Sequence, residues 1–429
     1  MNDRVPGWYR LAWFLGRAPA LTTNQWRLLG LVAAVSIFEQ YDIYLFSLNL
    51  KQIQADLAIP ESQLGVLGAI VRAGSFLSVL LAIAADRWGR RALLMLTVLG
   101  YTLFTGATAF SSSAEMFVVF QLFARGFASA EVMIAAVVIA EEFPPENRGW
   151  GIGVLAALQS LGAGLAALLF FFVDIIPFGW RTLYFVGLFP LLLIAYWRRK
   201  LPETRRFEEV REVQRRDHVF KPFLELVRQY PKRMVTLFSA VFFFGLGVSP
   251  AAFFAPKYLQ DIHHWTPASI SILHLAGGLL AILGNPLAGW MSDRFGRRPV
   301  TCIFTLCFAF MAMFFYSAIG MFVPLLWIAL IFFLMGGDVT LSTYGTELFP
   351  TKFRSSATGL RGFIGTIASI LGLSAVSGLF MIFNSNWISI AVLCGVCFLA
   401  PVIVWLFLPE TAGRTLEEIS PDGDDSSPT

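Results

Sequence analysis

The sequence predicts an all-α polytopic membrane protein of twelve transmembrane helices, built as a duplicated six-helix unit. Three observations carry this. Of 429 residues, 57% are hydrophobic and 14% are charged, where a soluble domain carries about 25% charged residues. Apolar segments long enough to cross about 30 Å of hydrocarbon at 1.5 Å per residue recur along the whole chain. Three charged motifs occur twice, 206 or 207 residues apart. The apolar segments run at full helical length rather than as alternating ten-residue strands, which favours helices over a barrel.

The spans fall near residues 27–50, 62–84, 92–112, 116–141, 150–173, 182–198, 234–256, 267–291, 299–319, 323–347, 355–383 and 386–407. The N-terminus, MNDRVPGWYRLAWFLGR, is polar and basic and carries no evident cleavable signal. Span 1 contains IFEQYDIYLF, which sets Glu39 and Asp42 three residues apart in apolar sequence, with Tyr41 and Tyr44 beside them. Span 2 carries Arg72, and span 4 carries Arg125 and Glu131. Depths measured from the charged-loop end place Glu39 and Arg72 about 18 Å in, Asp42 about 22 Å and Arg125 about 24 Å. An ionised side chain at the bilayer centre costs at least roughly 2.5 kcal/mol, so these groups must pair or face water. The expected pairs are Asp42–Arg125 and Glu39–Arg72. They read either as fixed ion pairs that orient helices or as an exchangeable site for a proton and an anion. Arg125 and Glu131 lie about 240° apart round the helix, so Glu131 is expected to pack towards a neighbouring helix.

In the second half, Asp338 follows Gly336-Gly337 in span 10, and Arg361 lies in span 11 at similar depth. These two can pair. Tyr41, Tyr44 and Tyr344 are candidates to line a cavity. His274 reads as a core histidine, and His263 and His264 have no metal-ligand spacing with other candidates. Cys302, Cys307, Cys394 and Cys397 lie in apolar segments and read as packing residues. No cofactor or metal site is expected.

The repeats lie in loops on one side. AADRWGRR at 84–91 returns as MSDRFGRR at 291–298, with Asp86 and Asp293 207 residues apart. EEFPPENR at 141–148 returns as ELFPTKFR at 347–354, and LPET at 201–204 returns at 408–411. Spacings of 206 or 207 residues in all three motif pairs indicate a duplicated unit. The net charge of +4 raises the question of a nucleic-acid partner. Lys and Arg, however, cluster in the even-side loops and both tails, the exceptions being Lys51, Arg72, Arg125, Arg181, Lys257 and Arg361. The charge therefore reports topology, with both termini cytoplasmic, rather than a polyanion partner. The expected divisions are residues 1–197 for the first bundle, 198–233 for a charged linker with short surface helices, 234–408 for the second bundle and 409–429 for a cytoplasmic tail.

DRxGRR between spans 2–3 and 8–9, ExxPxxxR after spans 4 and 10, and PET after spans 6 and 12 together resemble the major facilitator superfamily across the whole chain. Within it, EQYD in span 1, RGFASAE in span 4 and PPENRG after it look most like the metabolite:proton symporters, alongside the sugar-porter-like and organic-ion branches. The resemblance implies two pseudo-symmetric six-helix bundles around a central cavity, alternating access, and spans 1, 4, 7 and 10 lining the cavity. It also implies that the loop motifs latch one state. The gating residues would be Asp86, Gly89, Arg90, Arg91, Glu142 and Arg148, with Asp293, Gly296, Arg297, Arg298, Glu347 and Arg354 in the second half. In these loops Gly89 and Gly296 allow a tight turn, Asp86 can accept from a helix N-terminus, and Arg90 and Arg91 can reach Glu141 or Glu142.

The function these features predict is secondary active transport by a monomer in a bacterial-type cytoplasmic membrane, namely proton-coupled symport of a small organic anion or related metabolite. The partners are that substrate, protons and the lipid bilayer, without nucleic acid. The alternatives are a proton-driven exporter, a facilitator, or a non-transporting sensor on the same scaffold. No phosphate loop, metal-spaced set or nucleophile motif points to an enzyme.

Overall fold

The structure, a computed structural model, describes residues 6–11, 18–198, 221–350, 353–414 and 416–419. The described residues form helices and no strand. Twelve helices are long and apolar enough to cross a membrane. In chain order they are α1 Thr23–Leu48, α2 Glu61–Ala85, α3 Arg91–Thr108, α4 Ala114–Ile139, α5 Asn147–Phe170 and α6 Trp180–Trp197. The second six are α7 Pro231–Asp261, α8 Pro267–Phe295, α9 Arg297–Phe315, α10 Val323–Glu347, α11 Ser356–Phe383 and α12 Asn386–Phe407. Most of the linker expected at 198–233 lies outside the described residues, as does most of the tail after 409. Within the linker, Lys221–Gln229 is a short helix.

The chain forms two compact units. Unit 1 comprises the described residues of Met1–Ile59, Ile70–Arg216 and Thr266–Ser271. Unit 2 comprises those of Pro60–Ala69, Asp217–Trp265 and Ile272–Thr429. Helix α1 begins with a capping box: Gln25 N–H donates to Thr22 Oγ1 at 3.3 Å, and Thr22 N–H donates to Gln25 Oε1 at 2.9 Å.

Within hydrocarbon, helices gain little from hydrophobic burial against one another, so close backbone approach at small residues does much of the work. In unit 1 a Cβ at Gly162 of α5 would collide with the Ile37 carbonyl oxygen of α1. A Cβ at Gly74 of α2 would collide with the Leu122 carbonyl oxygen of α4, and α2 tightens to a 3₁₀ turn at Gly74–Phe76. Unit 2 repeats both crossings. Gly372 of α11 meets the Leu246 carbonyl of α7, and Gly284 of α8 meets the Phe332 carbonyl of α10. The duplication read from the loop motifs is thus also present in the helix crossings. Those two crossings in unit 1 position the polar groups described next.

Candidate functional site

The first crossing sets Gln159, one turn before Gly162, against Glu39, two residues after Ile37. Gln159 Nε2 donates to Glu39 Oε2 at 2.6 Å. The second sets Ser75 against Arg125, whose Nε donates to Ser75 Oγ at 3.3 Å. The Arg125 Nη1 atom lies 3.6 Å from Glu39 Oε1. Arg72 of α2 sits within electrostatic reach of both Arg125 and Glu39. Asp42 lies one turn along α1 from Glu39, within electrostatic reach of Arg125 and close to Gln121 on α4.

The pairing differs from the sequence expectation. Glu39, not Asp42, makes the close contact with Arg125, which acts on Asp42 at longer range. The reason is the helix crossing: Gln121 is one turn before Arg125 on the same face of α4 and occupies the place opposite Asp42. Two acids and two arginines make the cluster neutral in charge count. Its capacity is not exhausted, because Arg125 Nη1 and Arg72 Nε are buried without a hydrogen-bond partner. An arginine presents five N–H donors in a planar fork suited to a carboxylate. This arrangement can take up an anion and can exchange a proton at a carboxylate.

Other singled-out residues lie elsewhere. Glu131 is fully buried and accepts from Thr97 Oγ1 of α3 at 2.6 Å, so it packs against a neighbouring helix. Tyr41 is buried, its hydroxyl donating to the Leu183 carbonyl of α6 at 2.7 Å. Two residues along the helix from Glu39 turn it by about 200° from that acid. Tyr44 is partly exposed. Tyr344 donates to the Pro409 carbonyl at 3.2 Å. It therefore sits beside the PET segment at the loop end of α10, not at mid-span. In unit 2 Arg361 Nη1 meets Asp338 Oδ1 at 2.9 Å, and the Asp338 side chain is 61% exposed.

The loop motif is built out in unit 2. Gly296 adopts φ 103°, a conformation open to glycine without strain, and Gly89 matches it at φ 102°. Arg297 Nη2 donates to Glu347 Oε1 at 2.8 Å, and its Nη1 meets Asp293 at 2.5 Å. Arg298 lies over the Trp405 ring, 4.8 Å from its centroid. The group that caps α9 is Glu410 of the PET segment, which accepts from the backbone N–H of Arg297 at 2.7 Å and of Arg298 at 3.1 Å. Thr411 Oγ1 closes the ring on Glu347 at 2.6 Å. In unit 1 the side chains of Asp86 and Arg90 lie outside the described residues, so the cap expected of Asp86 falls there too. Arg148 Nε donates to the Phe143 carbonyl at 3.2 Å, and the Glu142 carbonyl accepts from Gln25 at 2.6 Å. Arg91 is exposed and Arg354 half-buried.

Residues not singled out from sequence are Gln121, Gln159, Ser75 and Glu410. Gln121 was legible as the polar residue one turn from Arg125, and Gln159 as an amide within an apolar span. Glu410 stood in a quoted motif without an assigned partner. Ser75 gives no signal without the crossing.

Twelve membrane helices in two units, a charged cluster within the first and a charged loop motif that occurs in both define a polytopic solute transporter rather than an enzyme. The family model of the Major Facilitator Superfamily matches residues 32–256 and 237–421. The chain belongs to that superfamily. It is similar to the niacin transporter NiaP of Acinetobacter baylyi, 26% identical, with 91% of this chain and 95% of the relative covered. It is also similar to the cis,cis-muconate transport protein of the same organism, 26% identical, with 90% and 95% covered. The crystal structure of a D-xylose-proton symporter shares the fold, with a TM-score of 0.73 at 19% identity over 90% of this chain and 98% of that one.

Proposed function

We propose that this transporter moves a small organic carboxylate together with a proton, and that Glu39, Asp42, Arg72 and Arg125 couple the two. The observation that carries this is the Arg125–Glu39 contact at 3.6 Å beside buried, unsatisfied guanidinium nitrogens. Two acids and two arginines balance. A carboxylate that joined them alone would leave one uncompensated negative charge in a low-dielectric setting, which is strongly unfavourable. A proton taken up by an acid with the anion restores the balance, so each ligand favours the other's binding. Niacin and cis,cis-muconate, which the two relatives' names give as their substrates, are both carboxylic acids. That supports the class.

The distribution of Lys and Arg supports cytoplasmic termini, and a bacterial-type cytoplasmic membrane with a monomeric transporter is the setting we assign. Alternating access by the two repeats around the coupling cluster fits this chemistry. The test is binding to purified protein with niacin, cis,cis-muconate and the uncharged amide nicotinamide as probes. The reading predicts that an acid binds, that its amide does not, and that Arg125→Lys lowers the acid's affinity by losing the fork. Equal binding of niacin and nicotinamide, with neither changed by Arg125→Lys, contradicts it.

A further inference from the structure

A serine in a helix commonly returns its proton to the carbonyl one turn back, as Ser36 does to Val32 at 3.2 Å and Ser160 to Ala156 at 3.1 Å. Ser75 sits in the 3₁₀ turn of α2, Gly74–Phe76, and its hydroxyl oxygen accepts instead. Arg125 Nε donates to Ser75 Oγ at 3.3 Å, and Ser129 Oγ donates to the same oxygen at 3.4 Å. Both donors stand on α4, four residues apart, and so share one face of that helix. A Cβ at Gly126, between them, would lie 2.8 Å from the Gly74 carbonyl oxygen, and Ser78 Oγ donates to the Ser75 carbonyl at 2.6 Å. With the contact of Gly74 on Leu122, α2 and α4 meet main chain to main chain beside Ser75. The register of Ser75 against Arg125 and Ser129 is therefore set by backbone rather than by long side chains.

A hydroxyl has two lone pairs and one proton. At Ser75 both lone pairs are taken, one by a guanidinium and one by a hydroxyl. The tetrahedral oxygen directs its proton away from both, and among the described residues no acceptor takes it. Ser75 is only partly buried, so a ligand can reach that proton. It stands beside the Arg125 side chain, whose Nη1 has no hydrogen-bond partner, and one turn along α2 from Arg72, whose Nε has none either. Each of these open positions is a donor. A carboxylate presents acceptors on both oxygens, whereas a carboxamide replaces one of them with N–H donors. Those donors find no acceptor at Ser75.

We propose that Ser75 donates its hydroxyl proton to the substrate's carboxylate, and that Ser129, by holding Ser75 as an acceptor, makes it a donor only and so selects the acid against the corresponding amide. Ser75 is a binding residue, and Ser129 is a positioning residue that acts through it. This deepens the carboxylate reading above and rests on it.

The test is calorimetric titration of purified protein with two acid–amide pairs, niacin with nicotinamide and cis,cis-muconate with its diamide, read on whichever pair binds. The proteins are the wild type, Ser75→Ala, Ser129→Ala and Ser129→Thr. The wild type should prefer the acid. Ser75→Ala should weaken the acid roughly tenfold or more, as expected for a lost hydrogen bond to a charged group. Ser129→Ala frees a lone pair of Ser75 for an amide N–H, so the amide should bind severalfold tighter than it does to the wild type. Ser129→Thr keeps the donor and should restore the wild-type preference, whereas a role in folding alone would weaken acid and amide together. Wild-type affinity for the acid in Ser75→Ala, or an unchanged preference in Ser129→Ala, overturns the proposal while the carboxylate reading stands. A wild type that binds neither acid, or each acid no better than its amide, takes down the carboxylate reading and this proposal together.

Discussion

Glu39 on α1 and Arg125 on α4 form an ion pair at 3.6 Å, with the acid's second oxygen held by Gln159 at 2.6 Å. Both side chains are largely buried, so each compensates a charge that would otherwise be costly. Removing one partner of such a pair costs about 3–5 kcal/mol, because the other is left uncompensated. Glu39→Gln and Arg125→Gln should therefore each lower the melting temperature in detergent, and the double change should recover most of the loss. Additive losses in the double mutant would mean that the two groups are not coupled.

Asp42 is a different case. It makes no ion pair as close as that of Glu39 with Arg125, which acts on it at longer range, so neutralising it leaves the Glu39–Arg125 pair in place. Asp42→Asn should fold with near wild-type stability and bind niacin or muconate. It should lose accumulation against a gradient and retain exchange of preloaded substrate. Counterflow measured beside pH-driven uptake separates these, and undiminished uphill uptake would remove Asp42 from the coupling role.

The glycine crossings predict a contrast within one helix. Gly162→Ala puts a methyl into the Ile37 carbonyl, whereas Gly153→Ala on the same helix meets nothing within 4 Å. The first should lower thermal stability clearly, and the second should be neutral or stabilising by about 0.5–1 kcal/mol. Gly372→Ala in unit 2 should behave like Gly162→Ala, since it meets the Leu246 carbonyl in the same way. Melting temperatures of the three variants check this.

These crossings also explain what the sequence could and could not reveal. The twelve spans were legible because a long apolar run has few other uses, and the duplication because whole motifs recur 206 or 207 residues apart. The pairing of charges was not legible. Depth alone places Glu39 level with Arg72, and only the contact of Gly74 with Leu122 rotates α4 to bring Arg125 to Glu39 and Gln121 to Asp42. The two halves also share a scaffold without sharing a site. At the register of the crossings, Arg125 corresponds to Met335, Glu39 to Val248 and Asp42 to Ala251. The carbonyl partners of Tyr41 and Tyr344 give no sequence signal for a related reason, since an aromatic within a span fits many faces.

Glu410 links the PET segment to the DRxGRR loop by accepting two backbone N–H groups at the start of α9. A carboxylate there satisfies orphan donors and complements the helix dipole. Glu410→Ala should cost about 0.5–2 kcal/mol and speed amide exchange at Arg297 and Arg298. Transport should slow while niacin affinity is unchanged. Unaltered exchange at those amides would show that the cap is dispensable.

The central claim is that one carboxylate and at least one proton enter together. It is tested most directly in proteoliposomes that hold a pH-sensitive dye and are offered radiolabelled niacin or cis,cis-muconate without an imposed gradient. The account predicts that substrate entry acidifies the lumen in step with uptake, and that Asp42→Asn abolishes the acidification. Uptake of either acid by the wild type with no change in luminal pH would contradict it.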